Sequence, residues 1–267
     1  MAGHELTSTR SPRVKGARRL AKRAFRQRAR RFLAEGPQAV GEALTVPGTL
    51  VELYATAEAE ARQSAIIDAA ERGGIPVHRV SGEVMTELAQ TVTPQGLLGV
   101  CRFVDVELAE VPPARLVTVL AHVRDPGNAG TVLRTSDAAG CDAVVFTDAS
   151  VDPYNGKCVR ASAGSLFHLP VVVGPPIEGV VAELRGRGLR VLAADGGGTA
   201  TLDDALDAGT LTAPTAWIFG NEAWGLPEAV LELADEVVRV PIHGRAESLN
   251  LATAAAVCLY ASARSHR

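Results

Sequence analysis

The chain has 267 residues, of which 47% are apolar and 21% charged, with a formal net charge of −3. That length is generous for one domain and comfortable for two, with ample apolar material for buried cores. No run of about 18 or more strongly apolar residues is free of charged and polar breaks, so no membrane span is expected, and residues 1–16 lack the apolar core of a secretory signal. The four cysteines, Cys101, Cys141, Cys158 and Cys258, have neither metal-ligand nor paired spacing. They read as small hydrophobes in a reducing cytoplasm, with no metal expected.

The net charge hides an asymmetry. Residues 1–31 carry eleven Lys and Arg against one acid, Glu5, a net of +10 that leaves −13 for the rest. A concentrated basic arm on an acidic protein points to a polyanion, most simply RNA. Arg19, Lys22, Arg23, Arg26 and Arg30 recur at helical spacing and, with Arg18, are the candidate RNA contacts; the plainer reading is a solvated helix or a frayed tail. Residues 1–16 are expected to be a disordered basic tail.

Alternating elements follow. Strands are predicted over Arg31–Ala34, Gly48–Tyr54, Ile75–Val80 and Leu97–Val104. Helices are predicted over Gln38–Leu44, Ala57–Arg72 (stopped by Gly73-Gly74) and from a Ser81 cap through Leu88. This makes a small α/β sandwich of roughly 75 residues with no nucleophile or metal site, suited to recognition. An acidic linker with Pro112-Pro113 spans Asp105–Arg115, so the expected division is 17–107 and 108–267.

The second half opens on the continuous apolar strand Leu116–Ala121, of the buried parallel type. A tight loop with Pro126, Gly127 and Gly130 follows, leading into a helix that ends at Gly140. Strands at Ala143–Phe146, Leu169–Val173, Arg190–Ala194, Thr215–Phe219 and Val237–Val240 alternate with helices at Val159–Ser165 and Ile177–Arg187. The Ala-rich run from Leu249 carries no charge until Arg264 and reads as a buried helix, with Ser248 and Asn250 at its start as good N-caps. In an open α/β sheet, loops at the carboxyl ends of strands form the site. Asn128 and Arg134 stand at one such loop and are expected to face one cleft, although an N-cap Asn and a solvated helical Arg would explain them equally. The loop Asp195-Gly196-Gly197-Gly198 could cradle a ligand, but it is not GxGxxG, so a dinucleotide-binding oxidoreductase is poorly supported.

Three strand-end segments now stand in order: Asn128–Arg134 (NAGTVLR), Phe219–Pro227 (FGNEAWGLP) and Val240–Val257 (VPIHGRAESLNLATAAAV). Together they resemble the three motifs of the SpoU (TrmH) branch of the SPOUT RNA methyltransferases, over the whole second half. The first half, with RFLAEGPQAVGEAL and TPQGLLGV, resembles that family's amino-terminal substrate-binding domain, which is related to RNA-binding ribosomal proteins. In layout the chain is similar to ribosomal RNA 2′-O-ribose methyltransferases of the thiostrepton-resistance type.

The resemblance implies an α/β fold with a carboxyl-terminal SPOUT domain tied in a deep trefoil knot, preceded by a small α/β ribosomal-protein-like domain. It also implies a homodimer with S-adenosylmethionine as methyl donor and no metal. By position, Gly220, Val240, Ile242 and Leu249 would contact the donor, and the Asp195–Gly198 loop, which lies outside the three motifs, is expected to line the same pocket through Ala194 and Gly196. Arg134 is the candidate that contacts the attacking 2′-hydroxyl or a neighbouring phosphate, with Asn128, Glu222, Ser248 and Asn250 completing the catalytic set. Arginine is a strange base, because its guanidinium stays charged, so stabilising a developing alkoxide is the role the chemistry suggests. The second motif departs from the family pattern, with Ala223-Trp224 where a glycine usually follows the glutamate; Trp224 could pack at a dimer contact or stack on a base. Alternatives are a transfer-RNA enzyme of the same family and a non-catalytic RNA-binding or ribosome-assembly protein.

Overall fold

The computed structural model describes residues 5–89, 91–221 and 224–266. By its internal contacts the chain divides into two units, one of residues 1–104 with 154–167 and one of residues 105–153 with 168–267. A stretch that the linear reading gives to the carboxyl-terminal half therefore belongs with the amino-terminal one.

The first unit begins with two short helices, α1 (Pro12–Arg19) and α2 (Arg23–Ala29). The expected disordered tail is ordered from Glu5 on. Leu6 bridges to Val80, its N–H donating to Arg79 O at 2.8 Å, and Ser11 caps α1 by accepting from Val14 N–H. The physical reason lies in the apolar positions Val14, Ala17 and Leu20, three residues apart, which bury against Tyr54, Val84, Met85 and Leu88. The basic residues that recur at helical spacing do not share one helix, because the chain breaks at Leu20–Lys22. Then come β1 (Arg31–Glu35), α3 (Pro37–Thr45), β2 (Leu50–Ala55), α4 (Ala57–Arg62), α5 (Ser64–Arg72), β3 (Val77–Arg79), α6 (Gly82–Leu88) and β4 (Leu97–Arg102). The single helix expected over Ala57–Arg72 is two, parted at Gln63, which leaves helical geometry at φ −124°. The strands form one sheet in the order β1-β4-β2-β3, antiparallel except for the β2–β3 pair.

The second unit is built on β5 (Leu116–Leu120), followed by α7 (Pro126–Ala139) and β6 (Ala143–Phe146). The chain next makes α8 (Gly156–Ala161), capped by Asn155 and lying in the first unit, and returns through β7 (Val171–Val173), α9 (Ile177–Gly186), β8 (Arg190–Ala194), β9 (Ala200–Thr201), α10 (Leu202–Asp207), β10 (Thr215–Phe219), α11 (Glu228–Leu231), β11 (Glu236–Arg239) and α12 (Leu251–Ser265). The seven strands form one parallel sheet in the order β7-β6-β5-β10-β8-β11-β9. β5, β6 and β10 are buried at every position, which is why their sequences run apolar rather than alternating. Helices cover the sheet: Ile177, Val180, Val181 and Leu184 of α9 enter a core with Val117, Val119, Val191 and Ile218, and α12 lies against α7 and β10. Trp217 is fully buried in β10, and its indole N–H donates to Ser262 Oγ of α12 at 2.8 Å.

All four cysteines are buried, and among the described residues none is joined in a disulfide. Burial pushes the thiol of Cys141 up to about 11 and that of Cys258 up to about 12, so neither is a thiolate near neutrality. Among the described residues no helix is long and apolar enough to cross a membrane, and no cluster of three His, Cys, Asp or Glu could hold a metal ion.

Candidate functional site

Three neighbouring strands, β10, β8 and β11, run parallel, so their carboxyl ends share one edge of the sheet. The loops leaving that edge, with the start of α12, enclose a cleft of about 310 Å³. Ala194, Asp195 and Gly196 line it after β8. Phe219, Gly220, Asn221, Trp224 and Gly225 line it after β10, while Val238, Val240, Ile242 and Glu247 to Leu249 line it from β11 and its loop. All six residues expected at the donor site, Gly220, Val240, Ile242, Leu249, Ala194 and Gly196, line this one cleft.

Its floor is built where side chains would not fit. A Cβ at Gly220 would stand 2.6 Å from Leu226 Cγ and 2.7 Å from Gly225 O. The loop after β10 doubles back tightly: Asn221 and Gly225 exchange both backbone hydrogen bonds, at 3.1 and 2.8 Å, and Gly225 takes φ +69°, a conformation glycine adopts freely. Glu222, between them, lies outside the described residues. Trp224 lines the cleft with 60% of its surface exposed. The loop at residues 242–248 is exposed throughout.

The residues expected to serve the reacting hydroxyl are only partly brought together. Ser248 lines the cleft. Asn250 is the N-cap of α12, its Oδ1 accepting from Ala252 N–H at 2.9 Å, and its Nδ2 donates to Asn128 Oδ1 at 3.2 Å. The helix carrying Asn128 begins earlier than the glycines and proline suggest. Asp125 is its cap, accepting from Asn128 N–H at 2.8 Å, and Pro126 takes the first turn. Asn128 and Arg134 are therefore both on α7, about 120° apart around its axis and about 9 Å apart along it. Arg134 is exposed, does not line the cleft, and makes no hydrogen bond or ion pair among the described residues. The expectation that Asn128 and Arg134 face one cleft does not hold within a single chain.

Arg134 instead lies on a different surface. Thr131, Arg134 and Ala138 form an exposed stripe on α7, and Thr253, Val257, Tyr260 and Arg264 form one on α12. The stripes adjoin, since Tyr260 Oη reaches Ala138 O at 3.4 Å. Val257 and Tyr260 expose 39% and 54% of their surface.

In the first unit, Arg18, Arg19, Lys22, Arg23 and Arg30 are exposed. Arg19 lies 5.7 Å from the ring centroid of the part-exposed Phe25, and Arg18 pairs with Glu87. Arg30 ends α2 in the left-handed region and stacks over Phe103 at 4.6 Å. Arg26 is the exception among the basic candidates. It is buried, its Nη1 donating to Leu20 O at 3.0 Å and Ala21 O at 2.8 Å, so it closes the break between α1 and α2 rather than facing solvent.

Residues 115–260 match the model of the SpoU rRNA methylase family, and residues 11–99 match that of an MRM3-like substrate-binding domain. The chain belongs to the SpoU rRNA methylase family. It is 37% identical over 257 residues to the 23S rRNA (guanosine(2553)-2′-O)-methyltransferase RlmP of Bacillus subtilis, covering 96% of this chain and 98% of that one. It is 31% identical over 225 residues to the 23S rRNA (guanosine-2′-O-)-methyltransferase RlmB of Bordetella pertussis, covering 82% and 90% of the two chains. A crystal structure of an AdoMet-bound rRNA methyltransferase from Sinorhizobium meliloti superposes with a TM-score of 0.85 at 30% identity, covering 98% of this chain and 97% of that one. Within this SpoU-family chain, the loop opening at Asp195 lines the cleft as expected, whereas Glu247, Phe219 and Leu251 were not singled out as parts of it. Glu247 is a polar loop residue of a kind found in any turn, and the other two read as ordinary core.

Proposed function

We propose that the chain transfers a methyl group from S-adenosylmethionine to a ribose 2′-hydroxyl of large-subunit ribosomal RNA, in the cytoplasm. The observation that carries this reading is the single cleft at the ends of β10, β8 and β11, lined by all six residues chosen for the donor. The cleft suits such a ligand. Its walls are largely apolar, and Glu247 complements a cation. Bound donor supplies a methyl on a sulfonium, which is already electrophilic, so the protein's task is positioning and help at the hydroxyl. Backbone groups of the loops after β10 and β11 hold the adenosine part, while Ser248 and the hydrogen-bonded pair Asn128–Asn250 border the reacting side. A guanidinium offers hydrogen-bond donors and no acceptor, so Arg134 stabilises a developing alkoxide or holds an adjacent phosphate rather than accepting the hydroxyl proton.

The protein acts as a homodimer, with the knot of the SPOUT fold in each carboxyl-terminal unit. The exposed face of α7 and α12 supports this: it carries Val257 and Tyr260 and includes Arg134, which its own cleft does not use. A second copy seated there would bring Arg134 to the partner's reacting hydroxyl. RNA is gripped by the exposed basic residues of α1 and α2, with Phe25 available for stacking on a base.

Incubation with labelled donor and separate pools of unmodified ribosomal and transfer RNA, followed by digestion to nucleosides, tests the reading. Label on a 2′-O-methyl nucleoside of ribosomal RNA is expected. Label on transfer RNA alone would overturn the substrate, and donor binding without transfer to any RNA or ribosomal particle would overturn the activity.

A further inference from the structure

Asp195 stands where the walls of the cleft meet. Its Oδ2 accepts from the Leu226 backbone N–H at 3.1 Å and its Oδ1 from the Gly197 N–H at 2.9 Å. Its own N–H donates to Val238 O at 3.1 Å. Gly197 belongs to the loop after β8, Leu226 to the loop after β10 and Val238 to β11, so one residue is bonded to all three segments. The bond to Gly197 alone would be an ordinary Asx turn. The bond to Leu226 spans 31 residues of sequence and has no local explanation.

Packing around the carboxylate is equally specific. A Cβ at Gly225 would stand 2.4 Å from Asp195 Oδ2, so the tight turn after β10 closes directly onto this side chain. Gly198, in the loop after β8 that Asp195 opens, has no room for a Cβ either, because Val237 O would lie 2.7 Å away. Among the described residues no cation pairs with Asp195, and the hydrogen bonds its carboxylate accepts come from backbone amides. That fits an element that fixes loop shape, since an anion accepting backbone N–H groups makes the stronger kind of hydrogen bond.

We propose that Asp195 is a positioning residue for the donor cleft, clamping the loops after β8 and β10 in the shape that accepts the methyl donor. The inference rests on the donor-cleft reading. It predicts that donor and demethylated product, which share the adenosine part, depend on Asp195 alike, and that Asp195 and Gly225 act as one unit.

The test is calorimetric titration of S-adenosylmethionine and S-adenosylhomocysteine into the full-length protein and into Asp195→Ala, Asp195→Asn and Gly225→Ala, with thermal unfolding in parallel. For Asp195→Ala, affinity for both ligands is expected to fall by about tenfold or more, the scale set by losing hydrogen bonds to a charged acceptor. Asp195→Asn keeps one acceptor oxygen and is expected to fall in between. Gly225→Ala is expected to weaken binding more in the natural background than in the Asp195→Ala background, where the atom it strikes is gone. Unchanged affinity in Asp195→Ala would overturn the clamp. So would a fall for the cationic donor alone, which would make Asp195 a simple charge. Should Asp195→Ala not fold, Asp195→Asn and Gly225→Ala decide, and normal binding by both overturns the inference. Failure of the natural protein to bind either ligand would instead overturn the donor-cleft reading itself.

Discussion

Gly220→Ala is the most direct perturbation of the cleft, because its cost follows from distances. The added Cβ would lie 2.6 Å from Leu226 Cγ, and 2.7 Å from both Gly225 O and Leu226 Cδ2. Ordinary contact begins near 3.4 Å, so the loop must open by roughly 0.8 Å. It cannot do so freely. Gly225 O accepts from Asn221 N–H at 3.1 Å and Leu226 N–H is bonded to Asp195 at 3.1 Å, so opening strains both bonds. Overpacking of this kind costs about 1–3 kcal/mol, and a weakened hydrogen bond adds about 0.5–1.5 kcal/mol. If the displaced loop is the cleft wall, most of that cost appears in donor binding, a loss of about tenfold to a hundredfold at 1.4 kcal/mol per decade. Calorimetric titration of S-adenosylmethionine, with the thermal midpoint measured alongside, separates the possibilities. Donor affinity within about twofold of the natural protein would refute the reasoning. A large loss of stability with intact binding would refute it as well, since the strain would then sit in the fold rather than in the cleft.

Other predictions test separate parts of the molecule. Ser262→Ala leaves the fully buried Trp217 indole N–H without its acceptor, and denaturant unfolding should show a loss of about 1–3 kcal/mol with donor binding unchanged. Replacing Arg19, Lys22 and Arg23 by Ala should lower the slope of log K against log salt for RNA by roughly 0.7–0.9 for each phosphate that is no longer neutralised. Arg26→Ala should instead lower the stability of the first unit and leave that slope alone, because the side chain is spent on Leu20 and Ala21 carbonyls. Finally, Arg134→Ala mixed and reassembled with a donor-binding-dead variant should regain about a quarter of natural activity, because half the dimers then carry one intact composite site. No regain would show that Arg134 serves its own chain.

What could be read from the sequence was what is local. Each motif loop follows an apolar run that forms a buried strand, and strand, loop and cap are neighbours in the chain. The Asn250 cap was legible because Asn before an apolar helix has few other uses. The start of α7 was signalled too, by Asp125-Pro126, but Gly127 and Gly130 argued for a longer loop, which put Asn128 on a loop although it lies in the first turn of the helix. Arg26 was misplaced because charge spacing does not show where a helix breaks; the break at Leu20–Lys22 turns one of the basic residues inward. The order β10-β8-β11 could not be read at all, since those strands are separated by other elements, and with it went the bond between Asp195 and Leu226.

The geometry divides the site into a part that one chain completes and a part that it does not. Every residue chosen for the donor lines a single cleft, whereas Arg134 stands about 120° around α7 from Asn128, on the face that exposes Val257 and Tyr260. An exposed arginine with no ion pair among the described residues has little to do for stability, and it costs an interface a desolvated charge unless an anion meets it there. RNA supplies such an anion in its phosphates, and the reaction supplies another in the developing alkoxide. On this reading the α7–α12 face joins two copies and delivers the charged group to the hydroxyl, so donor binding and methyl transfer are separable. Disrupting the face at Tyr260 should leave the first intact while abolishing the second.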